Sequence, residues 1–256
     1  MDQQARAHQF TALHVKGKPI VVYNAWDAGS ARAIVKGGAP AIATSSWAVA
    51  AAHGFGDGEA IPFAFVEQVI AAVVRSVDVP VTADVEGGYS VDPATCAQNV
   101  GRLIDAGIVG INFEDRVLPG KGLHPVAAQC ARIAAIRRAA DERGVALFIN
   151  ARTEAFFGGS ASPESAMAEA LERARAYAQA GASGFFAPGL VDLAAIKSLA
   201  AAIELPLNVM KMPGLPADSA LAGAGVARIS HGPAPYLLAM EALRAGAQAV
   251  FAPPAG

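Results

Sequence analysis

The chain has 256 residues, of which 54% are hydrophobic and 16% are charged, so its composition is that of a globular protein rather than a disordered one. Its net charge of −2 excludes both the basic surface expected of a nucleic-acid-binding protein and a polybasic membrane-binding segment. No apolar stretch reaches the roughly 20 residues of a membrane span, and the N-terminus shows no secretory signal, so we expect a cytoplasmic protein.

Eight short apolar runs recur along the chain, separated by stretches that are mostly helical. In chain order they lie within residues 19–27, 35–46, 79–86, 105–115, 142–153, 179–189, 205–211 and 222–232. Five of them follow a glycine that ends an alanine-rich stretch, as a helix C-terminus favours. The other three begin at or next to a proline, which the first residue of a strand tolerates. The runs are apolar throughout, as expected of parallel strands that are covered on both faces.

Eight β/α units in about 250 residues predict an α/β fold, a TIM-type (β/α)8 barrel formed as a single domain by residues 1–256. A doubly wound parallel sheet is the structural alternative. The last helical stretch is predicted over about residues 234–246. The two cysteines, Cys96 and Cys130, fit neither a disulfide framework nor a zinc spacing and lie in predicted helices.

In such a barrel the chemistry takes place at the C-terminal ends of the strands. The polar or aromatic residues that fall at these ends are Asn24, Asp27, Ser45, Ser46, Trp47, Asp84, Glu86, Glu114, Asp115, Asn150, Arg152, Asn208, Lys211, Ser230 and His231. They are expected to converge on one rim of the barrel. Asn208 and His231 are candidate substrate contacts there, although His231 could equally be a structural hydrogen-bonding residue.

Three carboxylates on neighbouring strands indicate a metal site. Asp84 and Glu86 stand two residues apart, so in an extended segment they point to the same side, and Glu114 ends the next strand. Oxygen ligands without histidine favour Mg²⁺, or Mn²⁺, over zinc. Each acid taken alone could instead be a solvated loop residue or the partner of an arginine.

Arg152 ends the fifth strand, where a guanidinium suits bidentate capture of a carboxylate or phosphonate. An ion pair with Glu114 or Glu154 is the alternative. Ser45 and Ser46 offer two hydroxyls and backbone amides after the second strand, a weak signal for anion binding.

The glycine-rich segment 54–59, GFGDGE, is not predicted to bind a dinucleotide. It does not lie between a strand and a helix of a βαβ unit, and its third glycine comes too soon. Asp57 within it is one further acid, on a loop that could fold over the rim.

Seven stretches of the chain, taken together and in order, resemble the isocitrate lyase/phosphoenolpyruvate mutase superfamily along essentially the whole length. They are YNAWDAGSAR (23–32), ATSSW (43–47), GDGE (56–59), TADVEGGY (82–89), FEDRVLP (113–119), ARTEAF (151–156) and RISHGP (228–233). The resemblance implies Mg²⁺-dependent making or breaking of C–C or P–C bonds in small 2-oxo or 2-hydroxy acids, through a metal-chelated enolate.

The resemblance also implies roles for particular residues. Asp84 is expected to bind Mg²⁺ directly, with Glu86, Glu114 and Asp57 in its water shell. Ser46, with the amides of Ser45 and Trp47, and Arg152 are expected to hold the carboxylate of the substrate. The resemblance further implies a homo-oligomer, a dimer or tetramer. Superfamily members typically continue into a C-terminal helix that swaps onto a neighbour, and here we expect that helix to be truncated or absent.

The loop after the fourth strand departs from the family. It reads LPGKGLHP, where isocitrate and methylisocitrate lyases carry a cysteine that aligns with Gly122. We therefore expect neither of those activities. The asparagine of the mutase loop is also missing, which leaves Lys121 and His124 as the ionisable residues of the loop, and Lys121 as the candidate catalytic one.

Three hypotheses for function follow from these observations. The first is a Mg²⁺-dependent lyase that acts on a small 2-oxo dicarboxylate, of the oxaloacetate decarboxylase or hydrolase kind. The second is P–C chemistry, as a phosphoenolpyruvate mutase or phosphonopyruvate hydrolase. The third is a barrel that binds a 2-oxo acid without efficient catalysis.

Overall fold

The computed structural model describes residues 2–159 and 162–252, and eight parallel strands form the centre of this part of the chain. The strands are β1 (Ile20–Val22), β2 (Ile42–Ala43), β3 (Val81–Asp84), β4 (Gly110–Glu114), β5 (Phe148–Arg152), β6 (Gly184–Phe186), β7 (Leu207–Met210) and β8 (Arg228–Ser230). Each lies within one of the eight predicted runs. Their order in the sheet is β1-β8-β7-β6-β5-β4-β3-β2.

The sheet closes on itself. The last strand, β8, pairs with the first, β1, and a parallel bridge joins Ala25 to Thr44 just beyond β1 and β2. At this bridge the Ala25 amide donates to Ala43 at 2.8 Å and the Ser45 amide donates to Ala25 at 3.0 Å. Because a doubly wound sheet would leave both edge strands open, this pairing confirms the predicted (β/α)8 barrel and rules out the alternative.

Helices alternate with the strands. They are α1 (Gln3–Ala12), α2 (Ala28–Lys36), α3 (Ser46–Ala52), α4 (Phe63–Ser76), α5 (Pro93–Asp105), α6 (Val126–Glu142), α7 (Pro163–Gln179), α8 (Leu193–Ala202), α9 (Asp218–Gly223) and α10 (Ala234–Phe251), with a π-helical turn at Ala155–Gly159. Within residues 2–159 and 162–252, none of the helices combines the length and apolar character needed to cross a bilayer.

The ends of the helices follow from local sequence. Gly107 and Gly181 follow α5 and α7 with φ angles of +107° and +102°, which only glycine adopts without strain. Asp27, one of the polar residues at the strand ends, caps α2: its carboxylate accepts a hydrogen bond from the Ser30 amide at 2.6 Å. Asp27 therefore serves the helix and does not join the polar rim.

Helix α1 closes the N-terminal end of the barrel. Gln3 donates through its side chain to the carbonyls of Ile104 and Ile108, and Phe10 is buried against Phe148 of β5. The opposite end, where the strands finish, is left free for the polar residues.

Helix α10 packs little against its own barrel. It reaches Phe251, so the prediction that it ends near residue 246 was wrong: the alanine-rich sequence after Gly246 sustains the helix. Leu243 and Phe251 are 66% and 84% exposed, and Val21 on the outer face of β1 is 40% exposed.

Candidate active site

A cavity of about 160 Å³ opens among the C-terminal ends of the strands, and we call it the inner chamber. Its lining residues are Asn24, Ser45, Ser46, Trp47, Asp57, Asp84, Asn112, Arg152, Phe186, Met210, Ser230, Gly232 and Pro233. Six of the residues singled out in the sequence for substrate or metal binding are therefore brought together here. A second cavity of about 570 Å³, the outer chamber, shares Asp57 and Arg152 with it.

Asp84 stands at the end of β3, beside the start of α3. The Ser46 hydroxyl donates to Asp84 Oδ2 at 2.8 Å, and the Ser46 amide approaches the same oxygen at 3.3 Å. The Ser45 hydroxyl is occupied with capping α3, since it accepts from the Ala48 amide. Trp47 is partly exposed on the chamber wall, with its ring near that of Tyr236. Asp84 Oδ1 is buried and has no hydrogen-bond partner among the described residues.

Glu86 reaches the site through a turn rather than an extended strand. Its φ angle is +49°, and its Oε2 accepts from the Glu59 amide at 2.8 Å. The Glu59 carboxylate in turn accepts from the Tyr89 amide at 2.7 Å. Glu59, Glu86 and Tyr89 are the non-glycine residues with a positive φ angle in the described part of the chain. Burial, reinforced by Asp84 and Asp57, raises the pKa of Glu86 to about 8. Strained backbone is thus concentrated at the acidic rim.

Arg152, Glu114 and Glu154 form one charged group. Arg152 Nε lies 2.5 Å from Glu154 Oε1 and 3.3 Å from Glu114 Oε2, so both of the ion pairs considered for Arg152 are present. Among the described residues, neither terminal nitrogen of Arg152 donates a hydrogen bond to the protein, and the side chain lines both chambers. Burial raises the pKa of Glu114 to about 8, with Arg152 acting in the opposite direction. The guanidinium can pair with these acids and still face a ligand.

Five candidates are not part of the lining of the inner chamber: the acids Glu86 and Glu114, and also Asn208, His231 and Lys121. Asn208 is buried beneath it, where its side chain bonds to Ser230 at 2.8 and 3.1 Å. The His231 ring packs against Tyr23, with ring centroids 5.0 Å apart. Lys121 lines the outer chamber instead.

The acidic side chains at the rim include oxygens that suit a divalent cation. Within the described residues, no group of three or more His, Cys, Asp or Glu side chains is arranged to hold a metal ion directly. Asp84 Oδ1 and Glu86 Oε1, however, are buried carboxylate oxygens without hydrogen-bond partners. Such oxygens need a cation or a proton. They fit Mg²⁺ that is bound by few protein ligands and otherwise by water.

A buried network behind the rim was not assigned a role from sequence. Asp115 is fully buried; it accepts from the Tyr177 hydroxyl at 2.8 Å and the Glu154 amide at 3.0 Å, and pairs with Arg173 at 3.3 Å. Its backbone oxygen accepts from the His124 amide at 2.7 Å. Asp115 therefore links the loop after β4, the end of β5 and α7. The sequence signal for this network was the pair Glu114-Asp115 at the end of an apolar strand. It could not identify Tyr177 on α7 as the partner of Asp115, because the two residues are 62 positions apart.

The inner chamber also contains residues for which the sequence analysis predicted no role. Asn24 and Ser230 were visible as polar residues at strand ends, whereas Phe186, Met210 and Pro233 complete the wall as apolar residues. Apolar residues at a strand end cannot be told from core residues by sequence pattern alone.

Comparison with known proteins agrees with the geometry. Residues 10–251 match the family model of phosphoenolpyruvate phosphomutase. The solved structure of a proposed phosphonomutase from Burkholderia cenocepacia J2315 superposes with a TM-score of 0.93 at 46% identity, covering 96% of this chain and 98% of that one. An uncharacterized protein of Mycobacterium tuberculosis is 34% identical over 94% of this chain and 88% of its own.

Relatives that are named for an activity match over smaller shares. An oxaloacetate decarboxylase of Pseudomonas aeruginosa is 32% identical over 70% of this chain and 61% of its own. Phosphoenolpyruvate phosphomutase and 2-methylisocitrate lyases are also among the similar proteins. The exclusion of methylisocitrate lyase activity therefore stays a prediction.

Proposed function

The chain belongs to the phosphoenolpyruvate phosphomutase family, and we propose that within it the protein is a Mg²⁺-dependent carbon–carbon lyase acting on a small 2-oxo dicarboxylate. The observation that carries the proposal is that Arg152 and Asp84 line the same small chamber, and that Asp84 Oδ1 is a buried carboxylate oxygen without a partner among the described residues. An oxaloacetate decarboxylase among the relatives supports this choice of reaction.

In the proposed reaction, Arg152 and Ser46 hold the carboxylate next to the keto group. Asp84 would hold Mg²⁺ directly, and Glu86, Glu114 and Asp57 would hold its waters. When bound, the cation would act as a Lewis acid toward the keto oxygen. In decarboxylation the C3–C4 bond breaks, CO2 leaves, and the electron pair moves toward the C2 oxygen before C3 takes up a proton. The low-dielectric walls of the chamber strengthen these electrostatic contacts.

P–C chemistry is the second candidate, because the proposed phosphonomutase of Burkholderia cenocepacia J2315 is 46% identical. Arg152 could bind a phosphonate as well as a carboxylate. A 2-oxo-acid-binding barrel without efficient catalysis is the third.

One assay separates the three candidates. Turnover of oxaloacetate and of phosphonopyruvate is measured with Mg²⁺ and with excess chelator, for the wild type and for Asp84→Ala. We expect oxaloacetate to be consumed only with Mg²⁺, and Asp84→Ala to stay folded but to lose Mg²⁺ binding. Preferential turnover of phosphonopyruvate would instead support P–C chemistry, and binding without turnover of either compound would support the third candidate. Full activity in chelator would contradict the metal assignment.

We also propose that the protein is a homo-oligomer. The outer ring of a (β/α)8 barrel normally covers every strand with helix, whereas a groove of about 850 Å³ runs over β1. It is lined largely by apolar side chains, among them Val21, Tyr23 and Ile34. Helix α10 carries the apolar residues that could fill such a groove on a second copy of the chain.

A further inference from the structure

A chain of hydrogen bonds runs beneath the inner chamber, and it begins at Arg228 of β8. The Arg228 Nε donates to Ser230 Oγ at 3.2 Å, and the Ser230 hydroxyl donates to Asn208 Oδ1 at 2.8 Å. Asn150 Nδ2 approaches the same oxygen of Asn208 at 3.4 Å and donates to Asn112 Oδ1 at 2.9 Å. Asn112 and Ser230 line the chamber itself. We call the last four side chains the chamber floor: Ser230, Asn208, Asn150 and Asn112.

The direction of this chain is fixed at its Arg228 end. A guanidinium has donors only, so Ser230 Oγ has to accept from it and to direct its single proton elsewhere. Asn208 Nδ2 donates to the Val209 carbonyl at 2.9 Å, and a carbonyl can only accept. Asn208 therefore turns its Oδ1 toward the Ser230 proton, and this oxygen can take only donors from its other neighbour.

The far end of the chain faces the inner chamber as a donor. Asn150 has to present its amide nitrogen to Asn208, and the same nitrogen donates to Asn112 Oδ1. The Asn112 oxygen is thereby occupied, whereas its Nδ2 donates to none of the described residues. The side chain is 4% exposed and lines the chamber together with Arg152 and Asp84. An amide nitrogen in this place suits an acceptor such as a carboxylate or keto oxygen.

The surroundings of Arg228 do not indicate a structural ion pair. The side chain is 0% exposed, and Nη1 and Nη2 have no hydrogen-bond partner among the described residues. Burial lowers the pKa of Arg228 to about 10, with the charge of Asp84 acting in the opposite direction, so the guanidinium stays charged at neutral pH. An unpaired buried charge stabilises a fold less than an apolar side chain of similar volume does. These features indicate that Arg228 serves the chamber above it.

We propose that Arg228 is a positioning residue that makes the chamber floor a hydrogen-bond donor, and that Asn112 uses this donor to bind an anionic oxygen of the substrate. The inference deepens the proposed function and rests on it, because Arg152 holds the carboxylate of the same 2-oxo acid. Without the fixed chain, Asn112 can turn its amide over and present an oxygen, which repels a carboxylate. Arg228 does not line the chamber and acts only through the floor.

The test is a double-mutant cycle on oxalate binding, because a chamber of about 160 Å³ has room for so small a diacid. Calorimetry with saturating Mg²⁺ measures the affinity of the wild type, Arg228→Met, Asn112→Ala and the double variant. Each single substitution removes the same donor, so each should weaken binding about tenfold, as the loss of one hydrogen bond to a charged group does. The double variant should also be about tenfold weaker, because members of one network are not additive.

The matched control is Arg137→Met, which removes another arginine with bonds to backbone carbonyls but none to the chamber floor. It should leave oxalate affinity unchanged. Urea unfolding checks the fold, and Arg228→Met should be no less stable than the wild type, since it removes a buried unpaired charge. If Arg228→Met does not fold, Ser230→Ala breaks the chain at its next link and should show the same coupling to Asn112→Ala.

The possible results separate this inference from the proposed function. Unchanged affinity in either single variant, while the wild type binds oxalate, would overturn the inference alone. A loss of about a hundredfold in the double variant would show that Arg228 acts independently of Asn112, through its charge, and would overturn the positioning role. Absence of oxalate binding to the wild type with Mg²⁺ would overturn the proposed function and this inference with it.

Discussion

Arg152 lies where the two chambers meet, and its Nε is shared between the carboxylates of Glu114 and Glu154. These acids fix the plane of the guanidinium, so its terminal nitrogens are oriented before a ligand arrives. An ammonium could satisfy the same acids as a point charge but could not present a planar pair of donors. Replacing Arg152 by lysine would therefore keep the positive charge and remove only the planar pair of donors.

Arg152→Lys should lower kcat/KM by about 10²-fold or more, or about 2.7 kcal/mol in transition-state stabilisation. The measurement is steady-state turnover of oxaloacetate with Mg²⁺. Arg102→Lys, at the exposed ion pair with Glu67, is the matched control and should leave kcat/KM unchanged. An unchanged value in Arg152→Lys would assign Arg152 to the ion pairs alone.

His14 lies buried near the closed end of the barrel. Its ring stacks on Phe148 at 4.0 Å, Nδ1 bonds to the Phe10 carbonyl at 2.8 Å, and Nε2 has no partner among the described residues. Burial, together with the positive charge of Arg228, lowers the pKa of His14 to about 3. The folded protein therefore holds His14 neutral at pH values where the unfolded chain protonates it.

This depressed pKa predicts a loss of stability in acid. Between the unfolded pKa of about 6.5 and the folded value of about 3, the unfolded chain binds the extra proton. The contribution of His14 should thus be complete above about pH 7 and should fall by about 2 kcal/mol at pH 5. Urea unfolding at pH 7 and at pH 5 measures this change in the free energy of unfolding. His14→Phe should reduce the pH dependence by that amount, whereas the exposed His8→Phe should not; equal slopes in all three proteins would contradict the assignment.

At the scale of elements, the sequence predicted the site residues whose position follows from where the parallel strands end. Ser46, Asp84 and Arg152 reach one chamber because their strands end at the same rim. The burial of Asn208 was not visible, because strands apolar on both faces show no alternation that separates the barrel interior from the helix side. The left-handed turn that positions Glu86 depends on bonds to residues distant in sequence.

Two residues of α7, Tyr177 and Arg173, hold the loop between β4 and α6, and the Tyr177 hydroxyl is the part that can be removed alone. Tyr177 donates to Asp115, which in turn accepts from the amides of His124 and Glu154. Tyr177→Phe keeps the ring but leaves Asp115 with one donor fewer in a buried place. We expect the free energy of unfolding to fall by about 1.5–3 kcal/mol. We also expect trypsin to cut the loop at Lys121 about tenfold faster.

Urea unfolding and timed proteolysis below the melting temperature measure the two effects. Tyr23→Phe, at a partly exposed tyrosine on the outside of β1, is the control and should change neither. If Tyr177→Phe lowers stability without exposing Lys121, the hydroxyl supports the core and does not hold the loop.

At the scale of the whole molecule, two apolar surfaces have no partner among residues 2–159 and 162–252. The groove over β1 exposes Val21 and Tyr23, and α10 exposes Leu238 and Leu243 while burying little besides Pro235. Exposed apolar surface of this extent marks an interface in soluble proteins. A two-fold contact in which α10 of each copy covers β1 of the other would bury both surfaces at once.

Leu243→Arg should therefore shift the assembly toward the monomer. Leu243 is 66% exposed in the single chain, so in a monomer the substitution would change the free energy of unfolding by only about 0.5 kcal/mol or less. In an oligomer it places an unpaired charge in a buried apolar contact, which costs several kcal/mol. Light scattering coupled to size exclusion measures the mass, with Gln248→Arg adding the same charge at a polar position of α10 as the control. We expect a dimer or tetramer for the wild type and Gln248→Arg, and a monomer for Leu243→Arg; a monomeric wild type at micromolar concentration would show that α10 has no second copy as its partner.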